Sequence, residues 1–252
     1  MEDWSYKPAA DTQLQPLERL ASTRREAGLI TVAVHGTTTA ALRAYLRAYH
    51  RLRVVGAEHL PKSTPFVMIS NHESMLDSLV LMAALPLRLR LETSPVAAGD
   101  VFFTNPVSSA LSALFMNALP IRRKDVSAHA LQDLRERLAS GHGGLILFPE
   151  GSRSRDGAML PFKSGLGSLV AGTPVPVIPC HMDGPYRALP FGHRVPRPVR
   201  ITVRIGAPLT FESQPGTREG WIAIVRRCEE AVRGLAAQNG RARVDAPPAN
   251  RS

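Results

Sequence analysis

Short apolar runs alternate with amphipathic segments through the middle of the chain. The runs at 65–70, 145–148 and 175–179 have the length and composition of buried strands. Residues 126–139 and 221–238 instead place apolar side chains at helical spacing. This alternation predicts an α/β fold, with a mixed, mostly buried sheet flanked by helices.

Two further segments carry more local signals. Residues 199–206 alternate apolar and polar side chains, which predicts a half-exposed strand near an edge of the sheet. Asn71 follows the run at 65–70, and we expect it to cap a helix that continues through Leu85 and is stopped by Pro86.

The two ends of the chain lack these patterns. Residues 1–28 are polar with scattered proline, and they are expected to form a loosely attached N-terminal arm. Residues 239–252 have no apolar period and are expected to be a disordered tail. One folded domain is therefore predicted over 29–238.

The composition of the chain limits which partners and which cellular compartment are expected. Of the 252 residues, 31 are basic and 21 acidic, giving a net charge of +10, which favours nucleic acid, an anionic membrane face or phosphorylated substrates. Cys180 and Cys228 have no zinc-like spacing and are interpreted as incidental thiols in a reducing compartment. The start is acidic and polar, and no apolar run reaches the roughly 18–20 residues of a spanning helix. We therefore expect a cytoplasmic protein without an integral membrane segment.

One segment suggests a contact with a membrane. Arg43, Arg47 and Arg51 recur every four residues, while Tyr45 and Tyr49 fall on other faces of the same predicted helix. Such a stripe is typical of an N-terminal interfacial helix on an anionic surface. An ordinary surface helix is the alternative.

His72 and Asp77 are the first candidates for chemistry, because open α/β sheets bind ligands just beyond their strand ends. His72 follows the predicted strand at 65–70, and Asp77 comes five residues later. An aspartate that accepts one ring N–H fixes the tautomer of a histidine and favours its uptake of a proton, as a general base requires. A capping histidine beside a surface aspartate is the alternative.

The second candidate segment follows the run at 145–148. It contains Gly151, Ser152 and Arg153, with Lys163 shortly beyond. Glycine permits close approach of the backbone to a ligand, hydroxyl and N–H groups suit a phosphate, and the two cations would neutralise its charge. A surface turn with a solvated arginine is the alternative.

Taken in order, these segments resemble the glycerolipid acyltransferases of the 1-acyl-sn-glycerol-3-phosphate type. The resemblance lies in four blocks that span about residues 50–210. They are Asn71-His72 with Asp77, Ala118-Leu119-Pro120-Ile121-Arg122-Arg123, Phe148-Pro149-Glu150-Gly151-Ser152-Arg153 and Val175-Pro176-Val177-Ile178-Pro179. Ser152 departs from the pattern by replacing a commoner threonine.

The resemblance implies a phospholipid-biosynthetic transferase in which His72 takes the proton of a lysolipid hydroxyl and Asp77 orients it. The hydroxyl would then attack an acyl thioester, either acyl-CoA or acyl carrier protein, without a metal or other cofactor. The acceptor's phosphate-glycerol end would be bound by Arg123 (with Arg122 a close rival), Glu150, Gly151 and Arg153. Glu150 is expected to hold Arg153 or a glycerol hydroxyl rather than the phosphate.

The favoured acceptor is lysophosphatidic acid, giving phosphatidic acid, and the enzyme would work peripherally on the cytoplasmic membrane face. Residues 101–120 are apolar and nearly uncharged, so they form either a core helix or a groove for an acyl chain. Another lysolipid acceptor, such as a lyso-ornithine lipid, and a non-catalytic binder of anionic lipid or nucleic acid are the alternatives. No nucleic-acid motif is present, so nucleic acid is not expected as a partner. No Gly-x-Ser-x-Gly elbow points to a hydrolase.

Overall fold

The computed structural model describes residues 29–98, 119–121, 128–141 and 143–244. The strands are β1 (Arg53–Val55), β2 (Phe66–Ile69), β3 (Thr93–Ala98), β4 (Leu119–Ile121), β5 (Gly144–Leu147), β6 (Val177–Asp183) and β7 (Thr202–Ile205). The helices are α1 (Leu29–His50), α2 (Asp77–Ala84), α3 (Leu87–Glu92), α4 (Ala128–Ala139), α5 (Gly165–Val170), α6 (Pro185–Ala188) and α7 (Arg218–Val244).

The strands of the described residues form one sheet in the order β1-β7-β6-β2-β5-β3-β4. Neighbouring strands are parallel except for the antiparallel pair β6 and β7. The predicted mixed α/β sheet is therefore confirmed. The strand predicted at 199–206 is β7, which alternates buried and half-buried residues one position from the edge.

β2 lies at the centre of the sheet because all four of its residues are apolar and buried. Phe66 and Met68 pack in a cluster with residues of α1 and α2 on one face. Val67 and Ile69 pack on the other face with residues of α4, α5 and α7. Helices on both faces explain why this strand has a continuous apolar run rather than an alternating one.

The carboxyl ends of three strands converge at one edge of the sheet. Ile69 at the end of β2 pairs with Leu147 at the end of β5 and with Pro179 in β6, both in parallel register. The segments that leave β2 and β5 therefore emerge side by side. This geometry brings the two candidate segments together, although 78 residues separate His72 from Glu150.

Two predicted helix boundaries are wrong. α2 begins at Asp77 rather than after Asn71, because the side chain of Asn71 bonds to Met182 in β6 instead of capping a helix. α7 continues to Val244, past the boundary predicted at 238. Arg241, Ala242 and Arg243 in this last stretch favour helix without any apolar period. Residues 1–28 and 245–252 lie outside the described residues.

The three arginines of the predicted stripe do not form one surface. Arg43 donates through Nε to Ala83 O at 3.0 Å and through Nη2 to Leu85 O, so it caps the carboxyl end of α2. Arg51 follows the end of α1 and donates to Pro198 O at 3.1 Å. Arg47 alone remains exposed without such a contact among the described residues. Two of the three arginines are thus bound by backbone carbonyls at the ends of helices or in loops, where such groups lack partners of their own.

Among the described residues, no helix combines the length and apolar character needed to cross a bilayer.

Candidate active site

His72 and Asp77 form a hydrogen-bonded pair in the loop between β2 and α2. Nδ1 of His72 lies 2.8 Å from Oδ2 of Asp77. The aspartate is fully buried, whereas 19% of the histidine side chain is exposed. A carboxylate accepts and does not donate, so Nδ1 carries the proton and Nε2 keeps its lone pair. Such a ring can take a proton from a bound molecule.

Backbone amides hold the aspartate in place. Oδ2 of Asp77 also accepts the N–H of Glu73 at 2.7 Å and the N–H of Ser74 at 2.8 Å. Three donors therefore converge on a single carboxylate oxygen. This arrangement explains the five-residue spacing: the loop folds back over the first turn of α2, so the pair does not depend on a shared helix face.

The imidazole of His72 stacks on the ring of Phe148, with centroids 4.1 Å apart and planes 15° from parallel. Phe148 directly follows β5, so the convergence of strand ends supplies this contact. Within the described part of the chain, Nε2 of His72 has no hydrogen-bond partner. The histidine is thus fixed at one nitrogen and along one face, and it can offer the other nitrogen to a ligand.

Glu150 is placed differently from the expectation. It is only 1% exposed, and its Oε1 accepts the N–H of His72 at 2.8 Å while Oε2 accepts the N–H of Leu160 at 2.8 Å. Burial raises its pKa to about 7, an effect that the two amide bonds partly offset. Both carboxylate oxygens are committed to backbone, so Glu150 joins two loops instead of holding Arg153 or a ligand hydroxyl.

Gly151 and Lys163 are in close contact at the surface. Gly151 has a φ of +70°, and a Cβ built there would lie 2.6 Å from Nζ of Lys163. The amide of Lys163 donates to Pro149 O at 2.9 Å, which ties the two segments together. Glycine is required because a side chain would be strained at this φ and would displace the lysine. Ser152 beside them is exposed.

Arg153 lies next to the histidine loop. The following residue, Ser154, donates its N–H to His72 O at 2.8 Å. The guanidinium of Arg153 sits 5.0 Å from the ring centre of Phe191, and that of Arg155 sits 5.5 Å from it. Arg153 is therefore half-buried against an aromatic ring and does not pair with Glu150.

Two other predicted site residues and an apolar segment fall largely outside the described part of the chain. Arg123 and its rival Arg122 lie outside the described residues, as does most of the apolar segment 101–120. Only 119–121 of this region is described, as β4 at the edge of the sheet.

Sequence reasoning missed the role of Asn71. Its Oδ1 accepts the N–H of Met182 at 2.8 Å, and its Nδ2 donates to Met182 O at 3.0 Å and to Glu73 Oε1 at 2.7 Å. The amide thus extends the pairing of β2 with β6 beyond the end of the strand. The available signal was an amide side chain directly after a buried strand, where β6 presents unpaired backbone groups.

Glu73 is the third carboxyl group of the site. It is buried beside Asp77, and it also accepts the N–H of Tyr186. Burial, and then the negative charge of Asp77, raise its pKa to about 7. The bonds from Asn71 and Tyr186 partly offset that rise. The described residues contain no group of three or more His, Cys, Asp or Glu able to hold a metal ion.

The chain is similar in sequence to known acyltransferases. The chain is 34% identical over 135 residues to human 1-acyl-sn-glycerol-3-phosphate acyltransferase alpha, covering 53% of this chain and 46% of the relative. It is 34% identical over 164 residues to 1-acyl-sn-glycerol-3-phosphate acyltransferase of Limnanthes douglasii, covering 64% and 55%. The chain thus spans about half the length of these curated relatives.

A solved structure shares the fold. The crystal structure of the 1-acyl-sn-glycerophosphate (LPA) acyltransferase PlsC from Thermotoga maritima matches with a TM-score of 0.62 and 23% identity, covering 86% of this chain and 81% of that one. The family model described as Acyltransferase matches residues 51–183, which include the paired His72 and Asp77 and the loop after β5. Since this match covers more than half of the chain, the chain belongs to the acyltransferase family.

Proposed function

We propose that this protein transfers an acyl chain from an acyl thioester to the free hydroxyl of a lysophospholipid, with lysophosphatidic acid as the acceptor and phosphatidic acid as the product. The observation that carries the proposal is the pair of His72 and Asp77, joined at 2.8 Å and held by backbone amides at a strand end. The relatives named above as 1-acyl-sn-glycerol-3-phosphate acyltransferases support the choice of acceptor.

In the proposed reaction, Nε2 of His72 removes the proton of the acceptor hydroxyl as its oxygen attacks the thioester carbonyl carbon. Asp77 stabilises the imidazolium that forms. The tetrahedral intermediate collapses with cleavage of the carbon–sulfur bond, and the imidazolium returns its proton to the thiolate. The thioester is already activated, so the step needs neither a cofactor nor a covalent enzyme intermediate. A positioned base of this kind contributes roughly 10²–10⁴-fold.

Arg153 and Lys163 are the proposed ligands of the acceptor phosphate, with Gly151 and Ser152 shaping the loop between them. The exposed Lys163 and half-buried Arg153 flank the segment that follows β5. Charge-assisted bonds from two cations favour a phosphate over a neutral headgroup. Arg123, or Arg122, is proposed to complete this set.

The donor is proposed to be acyl-CoA or acyl carrier protein, and the site of action the cytoplasmic face of an anionic membrane. The net charge of +10 supports an anionic surface as partner. Arg43 and Arg51 are bound to backbone carbonyls, which favours a membrane contact elsewhere than along the stripe predicted on α1.

The test is a panel of purified lysolipids offered with acyl-CoA or with acyl carrier protein, the products being identified by mass spectrometry. We expect phosphatidic acid from lysophosphatidic acid, and at least about a hundredfold less of it from the His72→Ala protein. Acylation of a lyso-ornithine lipid in preference to lysophosphatidic acid would replace the proposed acceptor. No acylated product from any pair would contradict the proposed activity.

A further inference from the structure

We propose that the loop of residues 190–200, which connects α6 to β7 and is called here the docking loop, binds the surface of an anionic lipid bilayer. The proposal deepens the proposed function and rests on it, because it names the surface through which the enzyme reaches its lipid substrate. Four features of the loop support the proposal: its exposed apolar side chains, its positive charge, its anchoring to the rest of the chain and its closeness to the catalytic pair.

The tip of the docking loop exposes apolar side chains. Residues 191–195 are all exposed, with Phe191 at 44% and Val195 at 77% of their full area. Gly192, His193 and Arg194 separate the two in sequence, and all three are themselves exposed. Apolar side chains beside cations are typical of segments that insert at a membrane interface.

Positive charge predominates in and around the loop, and the acidic neighbour Asp183 is paired with Arg187 at 3.4 Å. From 184 to 211 the chain contains no acidic residue and five arginines: Arg187, Arg194, Arg197, Arg200 and Arg204. Arg153 and Arg155 add two guanidinium groups over the ring of Phe191. Cations that surround a partly exposed aromatic ring match the boundary between anionic headgroups and acyl chains.

The docking loop is anchored at several points. The amide of Arg197 donates to Ala188 O at 2.7 Å, and Tyr49 donates through its hydroxyl to Pro196 O at 3.0 Å. Arg51 donates to Pro198 O. The loop therefore presents Phe191 and Val195 from a fixed base, and docking costs little ordering entropy.

The docking loop is also close to the catalytic pair. Ser74 donates through Oγ to Leu189 O at 2.9 Å, directly before the loop. The amide of the same serine donates to Asp77 Oδ2. A bilayer seated on the loop would place lipid headgroups beside Arg153 and His72, where a lysolipid acceptor must bind.

A second exposed apolar residue provides a matched control. Ile222 on α7 is 55% exposed, and the surface groove beside it carries both signs of charge, with Glu219 and Glu230 next to Arg226 and Arg227. Arg226 pairs with Glu230 at 2.9 Å, so this surface attracts an anionic bilayer less than the docking loop, which contains no carboxylate. The control variant Arg218→Glu/Ile222→Ser/Arg226→Glu changes the charge by the same amount as the loop variant Arg194→Glu/Val195→Ser/Arg197→Glu, and each variant replaces one exposed aliphatic side chain by serine.

The experiment measures partitioning of the full chain onto vesicles of phosphatidylcholine containing about a third phosphatidylglycerol, by cosedimentation. Each arginine lost near an anionic surface weakens binding by about fivefold, so we expect at least a tenfold loss for the loop variant. The control variant should bind like the wild type. Equal partitioning of the two variants, or no binding by the wild type, would overturn the proposal.

A tryptophan reporter covers the case in which the triple variant fails to fold. Val195→Trp should show a blue-shifted emission on binding to these vesicles and quenching by brominated lipid, relative to the wild type, whereas Ile222→Trp should not. An unshifted Val195→Trp emission in bound protein would overturn the proposal.

Activity separates this proposal from the proposed function. With short-chain substrates that stay monomeric in water, the loop variant should turn over like the wild type, because its three residues lie outside the catalytic pair and the phosphate ligands. Intact turnover with lost vesicle binding supports docking. In the contrary case, the loop variant would bind vesicles like the wild type and would lose only the reaction in which acyl carrier protein is the donor. That result would mean that the loop binds an acidic protein, and it would overturn the proposal.

Discussion

The carboxylate of Glu150 holds the backbone of His72. Oε1 of Glu150 accepts the N–H of His72 at 2.8 Å, and Oε2 accepts the N–H of Leu160 at the same distance. A buried carboxylate that satisfies two amides from different loops joins those loops into one unit. The position of the proposed base therefore depends on a side chain that reaches it from another strand end.

Glu150→Gln should lower kcat by about tenfold or more while changing the KM for the acceptor less than twofold. Glutamine can accept only one of the two N–H groups, and its own NH₂ would face the other, at a cost of roughly 1–3 kcal/mol. The measurement is steady-state kinetics beside urea unfolding, in which the midpoint should also fall. If Glu150 instead bound the acceptor, KM would rise and the unfolding midpoint would stay unchanged.

His72→Ala should reduce acyl transfer by roughly 10²–10⁴-fold with little change in the unfolding midpoint. Asp77→Asn should cost less, about ten- to a hundredfold. The amides of Glu73 and Ser74 select the carbonyl oxygen of the asparagine at the Oδ2 position, so His72 keeps its tautomer and loses only the charge that stabilises imidazolium. Single-turnover rates check both values. Equal losses in the two variants would mean that the aspartate does more than orient the base.

Arg153→Ala should raise the KM for a phosphate-bearing acceptor by about ten- to a hundredfold, since a charge-assisted contact contributes roughly 1.5–3 kcal/mol. The KM for the acyl donor should change much less. A lysolipid without phosphate should be insensitive to the substitution. Arg155→Ala is the matched control, because that guanidinium also lies over Phe191. Equal loss with both acceptors would make Arg153 structural.

The sheet could be predicted because its central strands are short apolar runs bounded by turns. The residues of β2, β5 and β6 are buried by helices on both faces, so local composition alone marks them as strands. His72 and Asp77 could be proposed as a pair for the same reason, since the segment that holds them follows such a strand, although the sequence left a capping histidine as the alternative.

Contacts between distant segments could not be predicted. The arginine stripe on α1 fails because Arg43 caps α2 and Arg51 bonds to the docking loop, both through backbone carbonyls that leave no trace in side-chain patterns. The role of Glu150 could not be predicted either, because its partners are the backbone amides of His72 and Leu160, which no side-chain pattern reveals. Asn71 resembled a helix cap, yet the nearest unpaired groups belong to β6, 111 residues away.

The stability of the protein should depend on pH through Glu73. Burial beside Asp77 raises the pKa of this carboxyl from 4.5 to about 7. Between those two values the folded protein keeps a proton that the unfolded chain releases. The free energy of unfolding therefore falls as pH rises through this window, by at most about 3 kcal/mol at about 1.4 kcal/mol for each pH unit. Above pH 7 the loss is complete.

Glu73→Gln removes this dependence, because a glutamine has no proton to lose and its Oε1 can still accept from Asn71. The advantage of the variant over the wild type in free energy of unfolding should grow from pH 5 to pH 8, as measured by urea unfolding at each pH. Glu150 titrates in the same window in both proteins, so its contribution cancels in the difference. Glu230→Gln, on the exposed face of α7, is the control and should show no such growth. A constant difference between Glu73→Gln and the wild type across this range would mean that Glu73 is already ionised in the folded protein at pH 5.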